Sequence, residues 1–311
     1  MNAGIDVSKA TLDVAVLPGV ERFKFANDEN GIADLIKVMK KAKPERIVLE
    51  PTGGYEAALV HALAAAELPV VVINARQIRQ FAQATGKLAK TDTIDAVVLA
   101  RFGEAIQPEV RPLKDENILE LEALVTRRRQ LVDMRGAEQK RRHQAKKAIW
   151  PSIDAVILVL EKQINDVDSD IDKLIRSSPI WHESDDLMKS IPGVGRVTIA
   201  TILALLPEIG TLDRKQIAAL VGIAPLNQDS GRRRGRRSIW GGRAPVRMVL
   251  YMAATAAARW NPIIARLKQR LEANGKPYKV AMVACMRKLL SILNAMMRDR
   301  SAWNPQLNVA S

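Results

Sequence analysis

The sequence predicts an α/β domain at the N-terminus, then a coiled coil, then a mainly α-helical C-terminal region. Three observations predict it. Apolar runs of strand period and helix period alternate over residues 1–110. A charge-rich stretch without proline follows and leads into seven apolar residues at strict heptad spacing: Ile153, Ile157, Leu160, Ile164, Val167, Ile171 and Leu174. Beyond residue 177 helical periods dominate, broken by a glycine- and arginine-rich stretch over 231–242.

Residues 5–7 and 12–17 read as strands joined through Ser8-Lys9-Ala10-Thr11, with 22–25 as a third strand. Residues 31–41 carry Ile32, Leu35, Ile36 and Met39 at a helical period. Then come a buried strand at 46–50, a helix at 55–66, a strand at 69–74 and a helix at 92–105. Three antiparallel strands followed by alternating helix and strand is the order of a ribonuclease-H-like domain. Residues 114–149 read as one long helix that Trp150-Pro151 stops, with Ser152 capping the next. The basic block over 127–147 and the acids Asp166, Asp168, Asp170 and Asp172 favour helices that meet, either as a hairpin within the chain or as a seam between two chains. Three regions are expected, 1–110, 111–176 and 177–311, with Ser177-Ser178-Pro179 as the second linker.

The chain has 311 residues, 48% hydrophobic, enough for more than one core. Its formal charge of +14 is unevenly spread. Residues 1–110 hold 13 basic and 14 acidic side chains, whereas 212–311 hold 19 and 4. Such an excess suits a polyanion, whose neutralised phosphates release counterions. A single cysteine, Cys285, excludes an intramolecular disulfide framework and fits a reducing cytoplasm. No signal peptide is read at Met1, and no apolar run is read as approaching the roughly 20 residues that span a bilayer.

Four carboxylates carry the chemistry. Asp6 ends the first strand in Gly4-Ile5-Asp6-Val7-Ser8-Lys9, and Glu50 ends a buried strand in Ile47-Val48-Leu49-Glu50-Pro51. Asp92 and Asp95 stand i, i+3 on one helix face. A charge at the end of a buried strand is costly to desolvate unless it is paired or binds a cation. Hard Mg²⁺ takes oxygen ligands, and two such ions can clamp the attacking and leaving oxygens of a phosphodiester displacement. Taken singly, each acid is equally a turn residue or a helix cap.

Ser190-Ile191-Pro192-Gly193-Val194-Gly195 has the form of a helix-hairpin-helix turn, in which Gly193 and Gly195 would let backbone N–H groups approach phosphate. The arginines Arg232, Arg233, Arg234, Arg236, Arg237 and Arg243 offer forked phosphate contacts, and two serines lie among them, Ser230 and Ser238. Spacing alone does not choose a nucleophile between them. His61, His143, His182 and Cys285 show no ligand spacing. Trp240, Tyr251, Trp260, Tyr278 and Trp303 read as packing residues.

Taken in order, the windows around Asp6, Glu50 and Lys90-Thr91-Asp92-Thr93-Ile94-Asp95, then Ser190–Gly195, Gly222-Ile223-Ala224-Pro225, Asp229-Ser230-Gly231 and Leu250-Tyr251-Met252-Ala253-Ala254, resemble the DEDD transposases and Piv-type DNA invertases of bacterial insertion sequences. The resemblance spans nearly the whole chain. It implies a RuvC-like N-terminal domain, a coiled-coil insertion and a C-terminal transposase domain. It places Asp6, Glu50, Asp92 and Asp95 as Mg²⁺ ligands, with two ions, and Ser230 as the nucleophile of a phosphoserine intermediate. It further implies donor and target DNA, a bridge RNA pairing with both, dimers that assemble into tetramers, no membrane, and a nucleoid-associated cytoplasmic location. Two other activities fit the residues less closely: a RuvC-like junction-resolving nuclease that uses water, and a non-enzymatic nucleic-acid-binding protein.

Overall fold

Five strands build one mixed sheet in the order β3-β2-β1-β4-β5. β1 (Asn2–Val7), β2 (Thr11–Leu17) and β3 (Glu21–Ala26) form an antiparallel meander. β4 (Arg46–Leu49) and β5 (Val70–Val72) continue the sheet parallel to β1. The computed structural model describes residues 1–86, 92–110, 116–225 and 237–305, and of residues 92–94 the helical backbone alone.

Helices cover both faces of this sheet, which is why β1 is buried on both sides and lacks an alternating pattern. On one face α1 (Glu29–Ala42) and α2 (Ala57–Ala65) bury Leu35, Met39, Leu59 and Leu63 against Ile5, Val14, Ile47 and Leu49. Asp28 caps α1 by accepting from the Gly31 amide. On the other face α3 (Ala75–Ala84) and α4 (Asp92–Ile106) bury Ile78, Leu99 and Phe102 against Val48. This is the ribonuclease-H-like arrangement expected for residues 1–110. α3 is an addition that sequence reading passed over, although Ile78, Phe81 and Ala82 stand at a helical period and pack together on Val48, Leu99 and Phe102.

Gly4 sets how closely α4 lies on the sheet. A Cβ there would stand 2.1 Å from the Ala96 carbonyl oxygen and 2.4 Å from the Ala100 nitrogen. Only a residue without a side chain lets helix backbone touch strand backbone in this way.

The remainder of the chain forms a second compact unit, Asp115–Ser311, distinct from Met1–Lys114. α5 (Glu116–Gln144) and α6 (Trp150–Ser177) make an antiparallel hairpin through a single 3-10 turn at Lys147–Ile149. Leu131 meets Leu160 and Ile164 along it, and Leu121 and Val125 meet Ile171 and Ile175 at its base. The base belongs to the same core as α7 (Pro179–Lys189), α8 (Arg196–Leu205), α9 (Arg214–Val221), α10 (Ala244–Trp260), α11 (Pro262–Ala273) and α12 (Tyr278–Asp299).

Three local expectations are corrected here. Pro151 lies in the first turn of α6 and begins the helix, since its missing N–H is one that no first turn uses, and Ser152 is inside the helix instead of capping it. Ser178 alone joins α6 to α7, so the expected linker is a joint of one residue. α12 is, by length and composition, apolar enough to cross a bilayer, alone among the described residues. Arg287 and Lys288 interrupt its run in the sequence, while Met282, Leu289, Leu290 and Leu293 bury it in the helical core.

A buried carboxylate ties the hairpin to α8. Asp168, 6% exposed, accepts from Arg128 Nε at 2.5 Å and Nη2 at 3.2 Å, and from Arg196 Nη2 at 2.9 Å. Arg196 opens α8, so the turn before that helix is anchored to α6. The outer pair Arg142–Asp154 has the same fork geometry but is 40% and 42% exposed.

Two stability predictions follow from this packing. Gly4→Val is expected to lower the urea midpoint by the equivalent of about 3 kcal/mol, because backbone cannot move aside as a side-chain tip does. Asp168→Ala leaves the Arg128 guanidinium, 19% exposed, without its carboxylate, while the more exposed Arg196 keeps Asp172; it should remove about 3 kcal/mol, whereas Asp154→Ala should remove less than about 1 kcal/mol. Equal losses from the two aspartate variants would refute the distinction.

Candidate active site

β1 and β4 run parallel with Ile5 level with Leu49, so Asp6 and Glu50 each follow one residue further at the same end of adjacent strands. Both are half-buried. The loop that carries Glu50 is held by Glu56, whose Oε2 accepts from the amides of Thr52 (2.9 Å) and Gly54 (3.0 Å). Thr52 Oγ1 donates to the Glu50 carbonyl at 3.3 Å. Asn27 Nδ2 donates to the carbonyls of Ser8 (2.8 Å) and Tyr55 (3.2 Å), which ties the β1–β2 turn to this loop.

The register of α4 brings its first turn to the same place. Gly103 lies over Asn2, and Ala96 to Ala100 lie over Gly4. Two strand residues advance about 6.7 Å, which is about 4.5 residues of helix. A further step of the same size sets the helix segment between Asp92 and Asp95 over Asp6. Asp95 is half-buried, and the Asp92 side chain lies outside the described residues.

Sequence reading missed a fifth acid. Asp13 is the direct partner of Asp6 across the antiparallel pair and is 8% exposed. Like charges set opposite on one face repel, and positive charge nearby offsets the repulsion. Lys24 Nζ supplies some of it, 3.4 Å from Asp13 Oδ1. The available signal was the charge in Leu12-Asp13-Val14, which strand alternation puts on the face of Ala15, the face that α4 covers. Among the described residues no three His, Cys, Asp or Glu side chains stand together as an ion-holding group. The donor set Asp6, Glu50, Asp92 and Asp95 is all oxygen, which fits a hard divalent cation.

Elsewhere the anticipated contacts take different forms. Ser230, Arg232, Arg233, Arg234 and Arg236 lie outside the described residues, while Arg237 and Ser238 are exposed. Arg243 makes a two-pronged ion pair with Glu208 and donates to the Leu205 carbonyl, so its guanidinium is engaged in fixing the end of α8. Gly193, at φ +97°, has the α10 backbone where its Cβ would be, 2.4 Å from the Ala257 nitrogen. Gly195 faces open space and caps α8. The turn therefore uses its first glycine for helix packing and leaves only the second open to a ligand.

The reading of the aromatic residues as packing residues is overturned for four of them. Trp240, Tyr251, Trp260 and Tyr278 are 54%, 38%, 74% and 48% exposed, while Trp303 packs on the helical core. Cys285 is buried, and burial pushes its thiol up to about 11, which leaves it unreactive. Gly193→Ala should lower the melting temperature by several degrees, whereas Gly195→Ala should leave it unchanged and weaken DNA binding; equal melting temperatures would refute this division of roles.

A transposase model of the DEDD IS110 type matches residues 3–151, and one described as Transposase IS116/IS110/IS902 family matches residues 185–269. The chain is 27% identical to the Pilin gene-inverting proteins of Moraxella lacunata and Moraxella bovis, with 98% of each chain covered. It is 29% identical, over 50% of its length and 39% of the relative's, to the Insertion element IS900 uncharacterized 42 kDa protein of Mycobacterium paratuberculosis. With one model matched over residues 3–151 and a second over 185–269, in that order, and with a mixed five-stranded sheet of ribonuclease-H-like order in the first, the chain belongs to the IS110 family of DEDD transposases.

Proposed function

We propose that the protein cuts and rejoins DNA at specific sites of an insertion sequence, with Asp6, Glu50, Asp92 and Asp95 holding Mg²⁺ and Ser230 as the nucleophile. The observation that carries this reading is the convergence of Asp6, Glu50 and the first turn of α4 at one end of the sheet. The family implies a DNA substrate and a divalent metal. When bound, two Mg²⁺ ions would offset charge on the scissile phosphate and make a hydroxyl beside it more acidic.

Ser230 belongs to a region of net charge +15 over residues 212–311, and the acids to one of −1 over 1–110. In this reading the Ser230 oxygen attacks phosphorus and loses its proton to solvent or a carboxylate. The phosphorus–oxygen bond to one strand end breaks, and that end leaves as a hydroxyl. The resulting phosphoserine preserves the bond energy for rejoining to a second strand. Arg232, Arg233, Arg234, Arg236 and Arg237 hold the backbone meanwhile.

The same reading takes residues 1–110 as the catalytic domain, 111–176 as a coiled-coil arm and 177–311 as the transposase domain. Along the arm Met134, Ile149, Val156, Leu158 and Val159 are exposed, which supports pairing with another copy into dimers and then tetramers. Recognition of donor and target DNA is delegated to a bridge RNA, and the protein works in the cytoplasm at the nucleoid.

On a suicide DNA substrate a covalent protein–DNA adduct is expected, retained in Ser238→Ala and abolished in Ser230→Ala, in Asp6→Asn and by EDTA. Cleavage that survives Ser230→Ala without an adduct would mean that water is the attacker. Sequencing of the RNA that copurifies with the chain checks the guide.

A further inference from the structure

We propose that Asp13 is a positioning residue of the carboxylate site: its charge strengthens the hold of Asp6 on a divalent cation, and Lys24 steadies that charge in the metal-free chain. The proposal rests on the reading of Asp6, Glu50, Asp92 and Asp95 as Mg²⁺ ligands and adds to it a fifth acid that is not one of them. The strand registers carry it. Asp13 pairs with Asp6 on one side and with Lys24 on the other, and Glu50 follows Leu49 level with Asp6. Lys24, Asp13, Asp6 and Glu50 therefore form one row across β3, β2, β1 and the end of β4. Partners level in register share a face of the sheet. Gly4, two residues before Asp6, touches Ala96 and Ala100, so this face is the one that α4 covers.

As a structural ion pair Lys24–Asp13 is poorly built. The Asp13 side chain is 12% exposed and that of Lys24 62%, so the carboxylate has left water while the ammonium remains in it. A pair screened in this way contributes little, too little to offset the desolvation of a carboxylate set opposite a second one. An uncharged side chain of the same shape would burden the metal-free fold less. Charge that burdens the fold points to a ligand that relieves it, and a divalent cation at Asp6 is attracted by both carboxylates at once. Asp13 is nonetheless a neighbour of that cation and not its ligand. Its Oδ1 faces Lys24 Nζ at 3.4 Å, and its Oδ2 accepts from Thr11 Oγ1, also at 3.4 Å. Thr11 Oγ1 in turn lies 2.9 Å from Ser8 Oγ, which fixes it in the β1–β2 turn. Both Asp13 oxygens are thus engaged by its own strand and by β3, and what reaches the cation is charge. Lys24 opposes it: the ammonium stabilises the metal-free chain and weakens cation binding.

The test titrates the full chain with Mn²⁺, followed by electron paramagnetic resonance, and melts each variant without the ion. Asp13→Asn keeps the shape and removes the charge. It is expected to weaken Mn²⁺ binding about tenfold and to leave the metal-free melting temperature at or above that of the parent. Lys24→Met should do the reverse, tightening Mn²⁺ about threefold and lowering the metal-free melting temperature. Lys24→Arg keeps the charge and should behave as the parent does. A purely structural pair cannot give opposite signs, since breaking it from either side destabilises the fold. The proposal is overturned if Asp13→Asn binds Mn²⁺ as the parent does, if it melts lower without the ion, or if Lys24→Met fails to tighten binding. It is also overturned if Asp13→Asn abolishes Mn²⁺ binding as fully as Asp6→Asn, which is the mark of a ligand. A parent chain that binds no Mn²⁺, or whose affinity survives Asp6→Asn, brings down the metal reading of the carboxylates and this proposal with it. Binding lost in Asp6→Asn and unchanged in Asp13→Asn brings down this proposal alone.

Discussion

The close approach of α4 to β1 at Gly4 is the constraint on which the N-terminal unit of the molecule depends. Backbone-to-backbone contact at Ala96 and Ala100 leaves the helix no freedom to slide, because a shift along the strand would bring the Leu99 side chain onto the glycine. The helix register is thereby locked to the strand register. That lock sets residues 92–95, nearly ninety positions downstream of Asp6, toward the same end of the sheet. The parallel pairing of β1 with β4 does the same for Glu50. Three segments distant in sequence are thus set by two backbone contacts that involve none of the acid side chains. Acids that repel one another make poor scaffolding, so their placement has to be imposed by surrounding packing.

The helical unit relies on a different device. Its arginines outnumber what a solvated surface requires, yet several of them are engaged within the fold: Arg128 and Arg196 with Asp168, Arg142 with Asp154, and Arg243 with Glu208. Asp168 matters most, because two guanidinium groups converge on a carboxylate withdrawn from water. Arg196 starts the helix after the Gly193–Gly195 turn, and Gly193 presses that turn onto α10. The turn is fixed from both sides, so Gly195, which faces open space at the start of α8, is held in place. Rigidity there limits the entropy lost on binding.

What could be read from residues alone tracks the range of the interactions involved. Strands β1 to β4 and helices α1 and α4 announce themselves by apolar period, and their bounds came within two or three residues of expectation. The acids Asp6, Glu50 and Asp95 stood out because a charge beside a buried run is locally conspicuous. Asp13 did not, since its importance lies in facing Asp6 across a hairpin. Gly193 looked like a phosphate contact because glycine permits close approach by any group. Only the fold reveals that the group is α10. Pro151 misled for the opposite reason: one residue both ends and begins helices, and the 3-10 turn before it decides which. The aromatic residues were misjudged because composition makes a Tyr or Trp among alanines look like core, while the burial of α10 falls on its Val246, Leu250, Ala254 and Ala257 face and leaves Tyr251 outside.

The charge segregation along the chain takes on a sharper meaning once partners are assigned. Of the four acids in residues 212–311, Asp213 caps α9, Glu272 holds Lys268 and Asp299 holds Arg298, while Asp229 lies outside the described residues. Asp213, Glu272 and Asp299 thus do local structural work, and the net charge over 212–311 stays at +15 with all four acids counted. Arg266 and Arg270 on α11, Lys279 on α12 and Lys276 in the connection between them remain exposed. A cationic field of this kind attracts any nucleic acid and cannot by itself tell one form from another. Discrimination has to come from groups that respond to something other than charge. On this unit the uncharged groups that stand out among the cations are the exposed side chains Trp240, Met248, Met252 and Trp260, so charge and apolar surface are carried by different residues of the same helices and loops.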